Sequence, residues 1–211
     1  ILEACAIVYY KSLDHAIEHL ICDDAPQFNK IAKYKALCWI HEGRHYKKLN
    51  PFIEHHRKIL DTFNDRFWDF YTELLAYKQC PSSEHAQELL ILFDDLFSIK
   101  TGYDALDERI AMTLAKKESL LLVLEFPCLP LHNNNAELGA RVQARIRDIN
   151  LQTITENGTK AKDTFATIVQ TARKLGVNIY EYIYDRISKK FEMPSLAILI
   201  SENAGLVSDT S

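Results

Sequence analysis

The chain has 211 residues, 47% of them hydrophobic and 26% charged, with only six glycines and six prolines. That mixture excludes a disordered tail, a collagen-like fibre and a disulfide-stapled mini-protein, and the scarcity of breakers favours helix over a many-turned β-sandwich. The formal net charge of −4 argues against a uniformly basic nucleic-acid binder.

Residues 4–19 have the pattern of a helix. Leu20-Ile21-Cys22 is a short apolar run, read as a strand that ends in the two carboxylates Asp23 and Asp24, with Pro26 closing the element. The run 36–40 is either a second strand or a helix start, because five residues cannot decide between them. From Pro51, residues Phe52, Ile53, Ile59, Leu60, Phe63, Phe67, Phe70, Leu74 and Leu75 recur at helical spacing, with Pro51 placed in the first turn. Cys80-Pro81 breaks that helix, and Ser82 or Ser83 caps the next, which Gly102 closes. A third helix is expected over 103–125. Pro127 and Pro130 bracket a loop, and the Asn run 133–135 caps a helix from Ala136. Gly158 marks a turn. Amphipathic helices follow over 160–175, closed by Gly176, and over 178–191, and the polar residues after about 200 read as a tail.

Charge is unevenly spread along these elements. Residues 30–58 carry 8 Lys/Arg against 2 Asp/Glu, residues 59–130 carry 6 against 13, and residues 131–190 carry 10 against 6. The five cysteines are odd in number and scattered, the usage of a reducing compartment. The apolar stretch 120–131 is too short for a membrane span and Glu125 interrupts it. The start at Ile1, with no basic segment or cleavage site, reads as a fragment of a longer product.

Three constellations could carry chemistry. His41-Glu42-Gly43-Arg44-His45 matches HExxH, in which two His on adjacent turns bind zinc and the Glu is general base. Gly43 is unfavourable inside that helix, Lys48 stands where the extended motif has Gly, and no third ligand announces itself. Cys38-x-x-His41 supplies two ligands, half of a structural zinc site; its simpler reading is a buried thiol beside a hydrogen-bonded imidazole. The third is the carboxylate set: Asp23 and Asp24 at a strand end, and Glu137 opening a helix behind the Asn run. Arg44, Lys47 and Lys48 follow the first, and Arg141, Arg145 and Arg147 follow the second. Carboxylates that hold Mg²⁺ beside cations that grip phosphates are the parts of two-metal phosphoryl transfer, whereas the simpler reading of Arg141 is an i,i+4 pair with Glu137.

The ordered segments Cys-Asp-Asp-Ala-Pro-Gln-Phe (22–28), Leu-Cys-Trp-Ile-His-Glu-Gly-Arg-His-Tyr-Lys-Lys-Leu (37–49) and Leu-Pro-Leu-His-Asn-Asn-Asn-Ala-Glu-Leu-Gly-Ala-Arg (129–141) resemble the DDE transposases of the insertion-sequence 66 family. The likeness continues through 171–178 and 182–185 and covers most of residues 20–190. The resemblance implies a mainly helical chain with a few short strands, the C-terminal part of an RNase H-like α/β domain that carries an all-helical insertion. Residues 1–50 would be a partial RNase H-like core, 51–126 the insertion, 127–195 the C-terminal helical part of the core, and 196–211 a tail.

The resemblance further implies Mg²⁺, with Mn²⁺ as substitute, held by Asp23 (or Asp24) and Glu137. It makes Cys38 and His41 supports of the site and Lys47, Lys48, Arg141 and Arg145 the phosphate contacts. Implied partners are transposon ends, target DNA and further copies of the chain. The implied place is the nucleoid of the cytoplasm, with no membrane. His132 stands where the family usually has Asp, and Leu138-Gly139 replaces Arg-Ala. The first Asp of the triad is expected upstream of Ile1, since Asp14 lies in a helical pattern, so the fragment alone is expected to be inactive. The alternatives are a zinc metalloprotease through His41, Glu42 and His45, and a degenerate, non-catalytic transposase remnant.

Overall fold

In the computed structural model the described residues are Val8, Ser12, 17–149 and 153–203, without the side chains of Gln143 and Arg147. The expected helix over 4–19, with Asp14, lies largely outside them; where 17–19 are described, Ile17 and Glu18 are not helical and His19 opens a strand. The protein is mainly helical. Among the described residues, two short strands, β1 (His19–Cys22) and β2 (Tyr34–Leu37), pair in parallel, with Ile21 opposite Ala36 and Cys22 opposite Leu37. The short run at 36–40 is both alternatives at once: β2 ends at Leu37, and helix α1 (Trp39–Lys47) begins one residue later. Cys38 joins them. Its N–H donates to Cys22 O at 2.9 Å, extending the ladder, while its carbonyl accepts from Glu42 N at 3.1 Å.

The packing falls into two units, 1–134 and 135–211. In the first, α2 (Glu54–Gln79) buries Leu60, Phe63, Phe67, Phe70 and Leu74 of the expected stripe and adds Tyr77, while Phe52 and Ile53 precede the helix and, like Leu75, are exposed. Helix α2 starts at Glu54, with Pro51 outside it. Helix α3 (Ser83–Phe97) is capped by Ser82, whose hydroxyl accepts from His85 N at 3.1 Å. Gly102, at φ 78°, turns the chain into α4 (Asp104–Leu114). The single helix expected over 103–125 is instead three: α4, α5 (Lys117–Leu120) and α6 (Leu122–Glu125). The breaks at Lys116 and Leu121 let Leu120, Leu121 and Val123 all enter the core.

Trp39 is the centre of that core. It is fully buried, 5.6 Å from the Phe67 ring and 5.5 Å from that of Phe70, and its indole N–H donates to Leu120 O at 3.0 Å. The strand segment and the helical block therefore share one hydrophobic core, and residues 50 and 126 are not divisions in the packing. Gly43 permits the close approach of α1 to α2, because a Cβ there would stand 2.7 Å from the Trp68 ring.

The second unit contains α7 (Asn134–Ile149), α8 (Glu156–Lys174), α9 (Ile179–Ile187) and α10 (Leu196–Asn203). Gly158 is not a turn: it lies inside the first turn of α8, where its N–H donates to the capping hydroxyl of Thr155 at 3.0 Å. Gly176, at φ 69°, follows the end of α8, and Asn178 caps α9. Ala172, Tyr182 and Leu196 form the small core. The expected tail is helical as far as Asn203 because Leu196 and Leu199 pack into that core. No helix among the described residues is long and apolar enough to cross a membrane.

Candidate functional site

The carboxyl edge of a parallel strand pair is where α/β folds bind ligands, because the backbone diverges there and leaves a crevice. Here that edge opens into a cleft of about 370 Å³, lined by Asp23, Asp24, Ala25, Leu37, Cys38, His41, Glu42, His45, Arg109 and Lys116. Four predicted site residues thus come together: Asp23, Asp24, Cys38 and His41. So do both histidines and the glutamate of HEGRH.

The two aspartates differ in environment. Among the described residues Asp23 Oδ1 accepts the Ala25 N–H alone, at 3.3 Å, an Asx-type turn that fixes the carboxylate while leaving lone pairs to the cleft. Asp24 is neutralised from two sides, by Lys116 Nζ at 2.8 Å and Lys35 Nζ at 3.4 Å. Burial works against the charged Asp24 carboxylate, but Lys116 and then Lys35 more than offset it and hold its carboxyl below the usual value.

Glu42, at 4% exposure, belongs to a buried charge network rather than to open solvent. It accepts from the Arg109 guanidinium and from Thr113 Oγ1 at 2.6 Å, and Lys116 Nζ lies 3.5 Å from its other oxygen. Tyr46 completes the chain of bonds, its hydroxyl 2.5 Å from Thr113 Oγ1. With the Thr113 hydrogen given to Glu42, Tyr46 is the donor. Burial raises the Tyr46 phenol far above its ordinary range, so it stays a donor. Burial also lowers His45, helped by the Arg109 charge against that of Glu42, so its imidazole is neutral at pH 7. The Cys22 thiol beneath the cleft is pushed up to about 11 by burial and stays protonated.

Arg109, Thr113 and Lys116 carry no recognisable motif and stand 67 or more residues from Glu42 in sequence. The spacing of four between Arg109 and Thr113 was the available signal, since it puts both on one face of α4, whose Leu106 and Ile110 are buried; Lys116 joins them from the break that follows the helix.

Of the remaining predicted residues, Lys47 and Lys48 belong to the first unit and Glu137, Arg141 and Arg145 to the second. Lys47 and Lys48 are exposed at the end of α1, where the Lys47 ammonium sits 5.5 Å from the Trp68 ring centroid. Glu137 stands in the first turn of α7 in the second unit, and Arg141 Nη2 donates to it at 3.4 Å, the i,i+4 pair. Arg145 is exposed further along α7. Among the described residues no three His, Cys, Asp or Glu side chains are grouped to hold a metal ion. A magnesium ion is usually held by one or two carboxylates with water and substrate phosphates. Asp23, with its free lone pairs, fits one such ligand; Asp24, already paired, does not.

The chain is 33% identical over 186 residues to a protein of Sinorhizobium fredii (strain NBRC 101917 / NGR234) described as "Uncharacterized protein y4jO". The match covers 88% of this chain and 57% of that protein, so the chain spans a little over half the length of this relative. No family model matches the chain, and no solved structure does.

Proposed function

We propose that this chain is part of a DDE-type DNA transposase, the C-terminal portion of an RNase H-like domain carrying the helical block 51–126. The observation that carries the reading is the state of Asp23: a carboxylate at the carboxyl edge of a parallel strand pair, held by a single backbone N–H in an open cleft beside a neutralised neighbour. The ordered likeness to the insertion-sequence 66 transposases names the same residue. Asp23 is the metal ligand of the first unit, and Glu137 the one the resemblance adds in the second. When bound, Mg²⁺ or Mn²⁺ would activate the attacking water or 3′-hydroxyl and stabilise the leaving oxygen. Cys38 and His41 form the wall behind Asp23 at the start of α1, and Lys47, Lys48 and Arg145 offer exposed cations to DNA phosphates. Arg141 is partly committed to Glu137. Partners are transposon ends, target DNA and further copies of the chain, at the nucleoid.

The test is Mg²⁺-dependent cleavage of labelled transposon-end DNA by the full-length product that contains this chain. Asp23→Asn abolishes cleavage, whereas Asp24→Asn leaves it measurable. Equal activity of wild type and Asp23→Asn would sink the reading. Inactivity of both, with no Mn²⁺ bound by either, would favour the degenerate remnant. The metalloprotease alternative has less support, because a general base needs a carboxylate turned to solvent and Glu42 is occupied by Arg109, Thr113 and Lys116.

A further inference from the structure

The block 59–130 is the acidic part of the chain, with 13 Asp/Glu against 6 Lys/Arg. Yet one of its hollows has no acidic residue in its lining. It lies between α2 and the turn that joins α3 to α4, has a volume of about 360 Å³, and gathers Lys58, Arg66, Lys100 and His55 in its lining. Its floor is apolar, made by Ile59, Phe63 and Ile99. The volume is at the small end of ligand-binding clefts, which run from about 300 to 1,000 Å³.

The three cations arrive there for separate reasons. Lys58 and Arg66 are two turns apart on one face of α2, and Lys100 comes from the turn before Gly102. That turn is pinned, since both the N–H and the hydroxyl of Thr101 donate to Asp107 Oδ1, at 2.8 and 2.7 Å. The other hydroxyl in the wall, Thr62, donates to Lys58 O at 2.9 Å. The hydroxyl protons are therefore spent, and the donors left to a ligand are the three cations and the His55 ring N–H. None of the three has a carboxylate within 4.0 Å among the described residues, although the Lys100 charge reaches Asp107 and helps to lower its carboxyl. Arg66 also borders a neighbouring hollow with Asp69 and Glu73 but pairs with neither.

Three exposed cations converging on an apolar floor, with no carboxylate in the lining, complement one chemical group: a phosphodiester, whose charge meets the ammonium and guanidinium groups while the adjoining sugar rests on the floor. We propose that this hollow on the helical block binds the phosphate backbone of DNA, as a second contact surface separate from the Asp23 cleft. The proposal rests on the transposase reading for the identity of the phosphate donor. The contact carries no sequence information, because phosphates are the same at every step of the duplex.

The test is fluorescence anisotropy of labelled duplexes of unrelated sequence with the 211-residue chain, over a range of salt concentrations. The wild type is compared with the triple variant Lys58→Ala/Arg66→Ala/Lys100→Ala, whose fold is checked by circular dichroism. All three side chains are exposed, so their loss leaves the core untouched. The expected result is weaker binding by the variant on every duplex. The slope of log affinity against log salt falls by about 0.9 for each phosphate contact removed. DNA binding with the same affinity and slope in both proteins overturns the inference and leaves the transposase reading standing. Binding of inorganic pyrophosphate but not of DNA, lost in the variant, overturns the DNA assignment in favour of a small phosphorylated ligand. Binding of neither overturns the hollow as a phosphate site, while the cleavage assay with Asp23→Asn judges the transposase reading on its own.

Discussion

Lys116 places its ammonium 2.8 Å from Asp24 Oδ2, tying the end of β1 to the break that follows α4. The same ammonium lies 3.5 Å from Glu42, so one cation is shared by the strand end, the first helix and the helical block. This sharing sets apart two adjacent aspartates that are equivalent in the sequence.

Removing that cation has a modest effect on stability and a clear one on titration. Asp24 is 44% exposed, so losing that pair in Lys116→Met costs about 1 kcal/mol or less, while the buried Glu42, 3.5 Å from the same ammonium, keeps Arg109 and Thr113 as partners. The Asp24 carboxyl is lowered in the folded chain, so its contribution is present above the unfolded carboxylate value and is lost as pH falls through the folded one. Wild type and variant should therefore differ in melting temperature at pH 7 and converge only in acid, below the lowered Asp24 value. A gap that persists in acid would show that Lys116 acts through packing instead.

Glu42→Ala is the severe substitution at this site. It leaves Arg109, whose side chain is 12% exposed, without its carboxylate, and breaking such a buried pair costs about 3–5 kcal/mol. Urea unfolding should show that loss. A stable Glu42→Ala protein that keeps stoichiometric zinc, with the metal lost only in His45→Ala, would instead point to the metalloprotease.

Gly43→Ala would raise helix propensity by about 1 kcal/mol in an isolated helix. Here the added methyl meets Trp68 at 2.7 Å and Phe67 at 3.0 Å. Overpacking of this kind costs about 1–3 kcal/mol, so the variant is expected to be less stable than wild type despite the better helix former. A rise in the denaturation midpoint would contradict the close crossing of α1 and α2.

His45 should titrate below the ordinary histidine value, because burial and Arg109 disfavour its charged form. The folded chain thus resists protonation more than the unfolded chain does. Its contribution is complete above about pH 6.5 and is lost as pH falls through the lowered value. An NMR titration of the His45 ring protons checks this. An upward shift would mean that Glu42, not Arg109, dominates the ring's surroundings.

The features legible in the sequence were those that local chemistry dictates. The spacing of Leu60, Phe63, Phe67, Phe70 and Leu74 matches the buried face of α2, and Ser82 marks a real boundary, whereas Gly102, expected to close α3, lies five residues beyond its end at Phe97 and instead precedes α4. A short apolar run followed by Asp-Asp placed Asp23 correctly at a strand end. The breaks at Lys116 and Leu121 were not legible, because helical periodicity continues across them and only the tertiary core selects the break. The pairing of Glu42 with Arg109 was hidden for a similar reason: a buried ion pair between distant residues leaves no local trace. Gly43, which looked like a cost within HEGRH, is a requirement of packing.

The indole of Trp39 has its hydrogen-bond acceptor in Leu120, and its main-chain N–H has one in Leu131. The helical block is thus not a detachable cassette. A deletion of 51–126 would strip the acceptor from a fully buried indole and leave Glu42 with neither Arg109 nor Thr113. Any chimera that exchanges this block with a relative must carry residues 39, 42 and 46 along with it, as one inherited set.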